Sequence, residues 1–309
     1  MRVICFPHDE IVARLGEVLA GHHELSVLDR SRPIVEQIAG HDVWVFGPDK
    51  APRELLTAAP SLKLLHQVGS GVDGVDRVAA AELGITVAAI ADVNSNAVAE
   101  MCLNLMLTLT RQMRDIPAVL SSGRKNRPIG GEIRGATVAI LGLGASGSAT
   151  AKLCRAMGMQ VLGLVREKSE RYAGLVDKQF VVAELHEMLG QADFHVVLLS
   201  LNESTNKLLD RAAFEAMLPG SYLINLARAQ IIDRPALEWA LDSEHLGAAA
   251  LDVFWKEPVD PTDRLVEHPR CTVTPHMAGF TNNSIDGVCR RILENIDALE
   301  AGRPLTGVV

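Results

Sequence analysis

Short apolar runs rich in β-branched and aromatic residues alternate with stretches of helical periodicity from the first residue onward. RVICF, ELSVL, DVWVFG, LKLLHQV and ITVAAI are separated by predicted helices that begin near Asp9, Pro33 and Pro52 or span 75–83. Strands divided by crossover helices imply a parallel sheet. A long amphipathic stretch over 97–120 follows, and then a segment over 121–135, rich in Gly, Pro and basic residues, that reads as a connection between domains. The alternation restarts with TVAILG, QVLGLV, QFVVA, HVVLLS, SYLINLA, GAAALDVF and CTVTPH. Helices are expected over 148–157, after QFVVA, ending near Met217 and beginning at Pro235. A last helix over 284–301 has no strand left to serve, so the pattern predicts that it returns to the first unit. The expected fold class is α/β, with two doubly wound parallel-sheet domains over 1–96 plus 281–309 and over 97–280, and a cleft between them.

Composition narrows the function more than the fold. At 309 residues the chain exceeds a typical single core of roughly 100–200 residues. Hydrophobic residues at 48% and charged residues at 22% fit a globular protein. A formal net charge of −8 argues against nucleic acid as a partner. The five cysteines are scattered without a CxxC pair, which reads as reduced core thiols, and no metal site is expected. The apolar run at the N-terminus is too short for a signal peptide, and the helix around 101–110 is interrupted by Asn104. A cytoplasmic location with no membrane partner is the expectation.

Gly142, Gly144 and Gly147 form GxGxxG directly after a predicted strand and before a helix. The first glycine permits a tight turn, the second lets backbone approach a pyrophosphate, and the third allows close helix–strand packing. Ala145 and Ser146 then offer N–H donors at the helix N-terminus. An ordinary glycine-rich turn and an S-adenosylmethionine site are the alternatives. Sites selective for NAD usually carry an acidic residue about 20 positions on. Here that position is Val165, followed by Arg166, whose guanidinium suits a 2′-phosphate. NADP (as NADPH) is therefore the preferred cofactor and NAD the alternative. Lys168 and Arg171 read as surface charges.

Ligands of an open parallel sheet bind outside the carboxyl ends of its strands. Arg228, Glu257 and His276 follow three such ends. Reduction of a ketone beside a carboxylate needs a proton donor, a cation for the carboxylate and carbonyl, and a carboxylate to hold the donor in its protonated form. Histidine titrates near neutrality and a carboxylate neighbour stabilises an imidazolium, so His276 with Glu257 suits general acid/base work. Taken singly, each of the three has a plain structural reading. Asp252 in AALDVF either binds a nicotinamide carboxamide or caps a neighbouring turn. Trp255 and Lys256 either shape the mouth of the cleft or form a surface loop.

With GLGASG, INLARAQIIDRPALEWAL, GAAALDVFWKEP and TPHMAGFT, and with VGSGVDGVD, NSNAVAE and GRPLTGVV, the whole chain resembles the D-isomer-specific 2-hydroxyacid dehydrogenases. The resemblance implies a Rossmann cofactor domain, a flavodoxin-like substrate domain and a homodimer. It implies that Arg228, Glu257 and His276 match the catalytic Arg, Glu and His, and that Asp252 and Gly279 lie with the cofactor. It further implies that Val68, Gly69 and Ser70 meet the substrate carboxylate. Asn94 occupies the place of a formate-binding Asn in the similar formate dehydrogenases, but those carry Gln where this chain has Glu257, which argues against formate. Departures from the family pattern are the missing acid at Val165, Ala229 in place of a glycine and Met101 in place of a histidine.

The expected activity is NAD(P)-dependent reduction of a small 2-keto acid, glyoxylate or hydroxypyruvate for preference, to a D-2-hydroxy acid. The grounds for this preference are the NADP-type pocket and the lack of the regulatory domain found in many phosphoglycerate dehydrogenases. The alternatives are D-3-phosphoglycerate oxidation and a non-catalytic dinucleotide sensor like the C-terminal binding protein corepressors. Phosphite dehydrogenases share the three catalytic residues, so the triad alone does not choose the acid.

Overall fold

The structure, a computed structural model, describes residues 1–123 and 128–309. Residues 124–127 of the expected connection lie outside the described residues. The first unit begins β1 (Arg2–Cys5), α1 (Asp9–Leu19), β2 (Glu24–Val27), α2 (Ile34–Ile38), β3 (Val43–Phe46), α3 (Arg53–Thr57), β4 (Leu64–Gln67), α4 (Arg77–Glu82) and β5 (Thr86–Ala88). Its five strands are all parallel, in the order β2-β1-β3-β4-β5. β3 is a continuous apolar run buried along its whole length, as in a covered parallel sheet, and β4 is equally buried although it ends in His66 and Gln67.

The second unit opens with α5 (Ser95–Thr110) and α6 (Ile116–Ser121). The 97–120 stretch is thus two helices and not one. Gln112 turns left-handed at φ 50° and a 3-10 turn spans Met113–Asp115. Pro117 sits in the first turn of α6, where its missing N–H is tolerated but where it could not continue α5. The chain then runs β6 (Thr137–Leu141), α7 (Ala145–Ala156), β7 (Gln160–Leu164), β8 (Lys178–Phe180), α8 (Leu185–Leu189), β9 (Phe194–Val197), α9 (Arg211–Ala216), β10 (Tyr222–Asn225), α10 (Arg234–Asp242), β11 (Ala248–Leu251), α11 (Arg264–Glu267) and β12 (Cys271–Val273). These seven strands pair in parallel in the order β12-β11-β10-β9-β6-β7-β8. The order reverses at β6, which makes its carboxyl end a switch point where ligands of such sheets bind. The predicted helix over 148–157 begins three residues earlier, at Ala145, so it springs directly from the glycine turn.

Helices cover both faces of this sheet. Val98, Cys102, Leu105 and Met106 of α5 and Cys154 of α7 share one core with Val138, Ile140, Val196 and Ile224. Met188, Phe214, Leu237 and Leu241 share the other with Leu141, Val197 and Leu223. All five cysteines are free and buried. Burial pushes the Cys5, Cys154 and Cys271 thiols up to about 12, which leaves them protonated and unreactive.

The final helix, α12 (Asn282–Glu300), starts at a cap in which Thr281 accepts the Ser284 N–H. Ile285, Val288, Ile292 and Ile296 enter the core of the first unit. Residues 307–309 then pair with β5: Ala89 N–H donates to Gly307 and Val309 N–H to Val87, which covers a sheet edge. The compact units are Met1–Asn94 with Phe280–Val309, and Ser95–Gly279. Among the described residues no helix is long and apolar enough to cross a membrane.

Candidate active site

Three neighbouring strands deliver most of the candidate chemistry from one edge of the second unit. Asn225 pairs with Leu251, and Leu251 with Val273, so the residues beyond them emerge side by side. Backbone bonds extend the register past the strands: Asp252 N–H donates to Asn225 at 3.0 Å and Thr274 N–H to Leu251 at 3.0 Å. Asn225 is fully buried and builds the turn leading to Arg228. Its Oδ1 accepts the Ala227 N–H and its Nδ2 donates to the Arg228 carbonyl. The Arg228 guanidinium donates to the Ala227 carbonyl at 2.8 Å.

His276 and Glu257 meet directly. Nδ1 of His276 lies 2.7 Å from Oε2 of Glu257, and the other carboxylate oxygen accepts the Phe254 N–H at 3.0 Å. Burial opposes ionisation of Glu257. The hydrogen bonds from His276 and Phe254, with the positive charges of His276 and Arg228, outweigh it and hold the carboxyl below its ordinary range. A carboxylate facing Nδ1 fixes the proton there and leaves Nε2 to face a reactant. The His276 side chain is 46% exposed, so the ring is reachable.

The backbone of His276 is left-handed, at φ 53°, a conformation that costs a non-glycine residue about 1 kcal/mol or more. Asp252 compensates. Its carboxylate, 1% exposed, accepts the Thr274 hydroxyl at 2.5 Å and the Met277 and Ala278 N–H groups at 2.9 Å each. Every one of these bonds goes to the turn that carries His276, so the turn-capping alternative for Asp252 is the one the geometry displays. Sequence reasoning missed both Thr274 and Asn225. An Asn ending an apolar strand before a turn is the signal that could have found Asn225, whereas a hydroxyl pairing across 22 positions leaves no pattern.

The glycine turn follows β6. Gly142 has φ 103°, and a Cβ there would stand 2.8 Å from the Leu198 carbonyl oxygen. A Cβ on Gly147 would lie 1.9 Å from the Gly142 oxygen, so α7 can approach the strand only with glycine at that position. Among the described residues nothing approaches the Cβ position of Gly144, and no side chain caps the helix that begins at Ala145. The N-terminal N–H groups of α7, Ala145 and Ser146 among them, are thus left beside a gap that a Cβ on Gly144 would enter. That arrangement fits a pyrophosphate.

Gly142 N–H donates to Leu164 at 3.2 Å, which sets Val165 beside the glycine turn. Val165 is 5% exposed and belongs to the core, whereas Arg166 is exposed and makes no ion pair among the described residues. Lys168 is tied to Glu184 and Arg171 lies over Tyr172. Trp255 packs on the sheet core and beneath Arg234, with Lys256 exposed beside it. Gly279 closes the second unit. Val68, Gly69, Ser70 and Asn94 belong to the first unit, the first three in the loop that leaves β4.

Comparison with known proteins agrees with this geometry. The family model for the NAD binding domain of D-isomer specific 2-hydroxyacid dehydrogenases matches residues 103–278. D-3-phosphoglycerate dehydrogenase of Archaeoglobus fulgidus is 32% identical over 86% of this chain and 51% of its own length. D-3-phosphoglycerate dehydrogenase 2 of Arabidopsis thaliana, a chloroplast protein, is 31% identical over 89% of this chain and 44% of its own. The chain thus spans about half the length of these curated relatives. Among solved structures, the pyruvate reductase of Chlamydomonas reinhardtii is 26% identical over 99% of this chain and 98% of its own, with a TM-score of 0.84. A Thermus thermophilus protein is 28% identical over the full length of both chains, with a TM-score of 0.87. The strand-end histidine and glutamate, the glycine turn at the switch point and this match over most of the dinucleotide unit lead to one conclusion: the chain belongs to the D-isomer specific 2-hydroxyacid dehydrogenase family.

Proposed function

We propose that the chain reduces a small 2-keto acid to the D-2-hydroxy acid with NAD(P)H. The observation that carries this reading is the 2.7 Å bond between His276 Nδ1 and Glu257 Oε2 beside Arg228. With Nδ1 committed to Glu257, His276 donates its proton to the carbonyl oxygen from Nε2 and recovers one from solvent through its exposed face. Glu257, kept ionised, orients the ring through its bond to Nδ1. Arg228 supplies the cation for the substrate's carboxylate and polarises the carbonyl. The backbone N–H groups of Gly69 and Ser70, next to Val68, whose own N–H is held by Gln67, add donors for the same carboxylate, and Asn94 orients it.

The glycine turn of Gly142, Gly144 and Gly147, with Ala145 and Ser146, would hold the dinucleotide's pyrophosphate, and Gly279, beside the turn that Asp252 caps, would lie toward its nicotinamide end. A bound reduced nicotinamide supplies the hydride for the carbonyl carbon. Val165 offers neither hydrogen bond nor charge to a ribose, and Arg166 beside it can pair with a 2′-phosphate. We therefore assign NADPH as the preferred cofactor. Glyoxylate and hydroxypyruvate are the assigned substrates, small enough to be held by the carboxylate and carbonyl alone. The names of the curated relatives support a second reading, oxidation of D-3-phosphoglycerate. The test is a panel of glyoxylate, hydroxypyruvate, pyruvate and D-3-phosphoglycerate, each run with both cofactors. Turnover of a keto acid, faster with NADPH, is expected; tight dinucleotide binding without turnover of any acid would contradict the assignment.

A further inference from the structure

We propose that Gln67 is a positioning residue for substrate recognition, aiming the backbone donors that receive the carboxylate; this rests on the keto acid reduction proposed above. Gln67 ends β4 with its side chain turned into the protein, 9% exposed, in a stretch where every strand residue is buried. Burying an amide is costly unless it is bonded. This amide is bonded at both ends, and each partner lies in or against the loop that follows. Oε1 accepts the Val68 N–H at 2.8 Å, and Nε2 donates to the Gly71 carbonyl at 2.8 Å and to Gly47, just beyond β3, at 3.2 Å. One side chain thus closes residues 67–71 into a loop and staples it to the neighbouring strand's end.

The peptide plane turns this closure into recognition. In a trans peptide the carbonyl of one residue points opposite to the N–H of the next. The Gly69 carbonyl is held by the Ile90 N–H at 2.9 Å, so the Ser70 N–H faces away from the sheet. The Gly71 carbonyl is held by Gln67, so the Val72 N–H faces away from the buried amide. Among the described residues no acceptor meets the N–H groups of Gly69, Ser70, Gly71 or Val72. A Cβ on Gly69 would meet nothing within 4 Å, so space beside the loop is open. Exposed donors on consecutive residues suit a carboxylate. No helix begins there to supply them, since α4 starts only at Arg77.

The test uses the full-length enzyme with Gln67→Met, which fills the same space without the bonds. A second variant, Gln67→Glu, keeps the acceptor for Val68 and loses the donor to Gly71. Steady-state kinetics with the preferred keto acid, inhibition by oxalate and NADPH binding by fluorescence are measured on each. We expect KM for the keto acid and Ki for oxalate to rise together by about tenfold or more. kcat and NADPH affinity should stay within about threefold. Folded variants with unchanged KM and Ki, or with kcat and NADPH affinity lost in step with KM, would overturn the positioning role. If Gln67→Met does not fold, Gln67→Glu decides alone by the same criteria. No keto acid turnover by the unaltered enzyme would overturn the reductase assignment as well, so the two failures are told apart.

Discussion

Two glycine-rich turns, each at the carboxyl end of a parallel strand, present bare backbone N–H groups in this molecule, and they are built by different means. The turn of Gly142, Gly144 and Gly147 leads straight into α7 and is shaped by close approach: Gly142 against the Leu198 carbonyl, Gly147 against Gly142. The loop after β4 has no helix behind it and is shaped by one buried side chain, Gln67, which gathers Val68, Gly71 and Gly47. The first is specified by what is missing from three residues, the second by what one residue adds. A steric device tolerates no side chain at its contact points. A hydrogen-bonded device tolerates shape but not loss of the bonds.

The sheets behind these turns differ in the same sense, and acid should expose it most strongly. On β4, beside Gln67, the buried His66 has both ring nitrogens satisfied, by the Gln67 carbonyl at 3.1 Å and the Asn295 amide at 2.9 Å. On β9 the buried His195 has neither nitrogen bonded among the described residues. Burial depresses both, His66 to about 4 and His195 to about 3. Each folded value lies below the ordinary 6.5, so the unfolded chain binds more protons below that pH. The stability each neutral ring contributes is complete above pH 6.5 and is lost as pH falls toward 4 for His66 and 3 for His195. At 1.36 kcal/mol per pH unit the losses are roughly 3 and 5 kcal/mol. Acid unfolding followed by circular dichroism should therefore shift to lower pH in His195→Leu more than in His66→Gln. The reverse order would break the contrast between bonded and unbonded rings.

Within the glycine turn the three positions should separate. Gly147→Ala forces a Cβ into the Gly142 oxygen and is expected to destabilise the fold by about 3 kcal/mol in urea titrations. Gly144→Ala meets no protein atom, so its melting temperature should match the parent while dinucleotide affinity falls about tenfold. Equal stability losses at the two glycines would show that the turn is not shaped as described. The smallest effect is expected at Arg166, whose exposed guanidinium forms at most a solvent-screened contact. Arg166→Ala should weaken NADPH about fivefold and leave NADH unchanged. Equal weakening of both would remove Arg166 from cofactor selection.

The turns also differ in how far the sequence announces them. GxGxxG is legible because a backbone approach demands glycine at fixed spacing, and the strand before it and helix after it carry their own periodicities. Arg228, Glu257 and His276 are legible because polar residues stand out at the ends of apolar runs. Gln67 stands out no more than any polar residue in LKLLHQV, and its value lies in bonds to Gly47 and Gly71 that only the folded chain creates. Thr274 escaped for the same reason, since its partner Asp252 is supplied by tertiary structure, whereas Asn225 bonds only two and three residues ahead and could have been read as an Asn closing an apolar strand before a turn. The break between α5 and α6 was hidden because apolar spacing continues across it, while the left-handed Gln112 and Pro117 interrupt only the backbone.

In the proposed reduction His276, oriented by Glu257, passes the proton to the keto acid. This transfer is tested most directly by comparing the unaltered enzyme with His276→Ala in NADPH oxidation driven by glyoxylate or hydroxypyruvate, with NADPH affinity measured on the same samples. kcat should fall about 10²- to 10⁴-fold with dinucleotide affinity retained. Near-normal turnover by His276→Ala would contradict the proposed proton transfer.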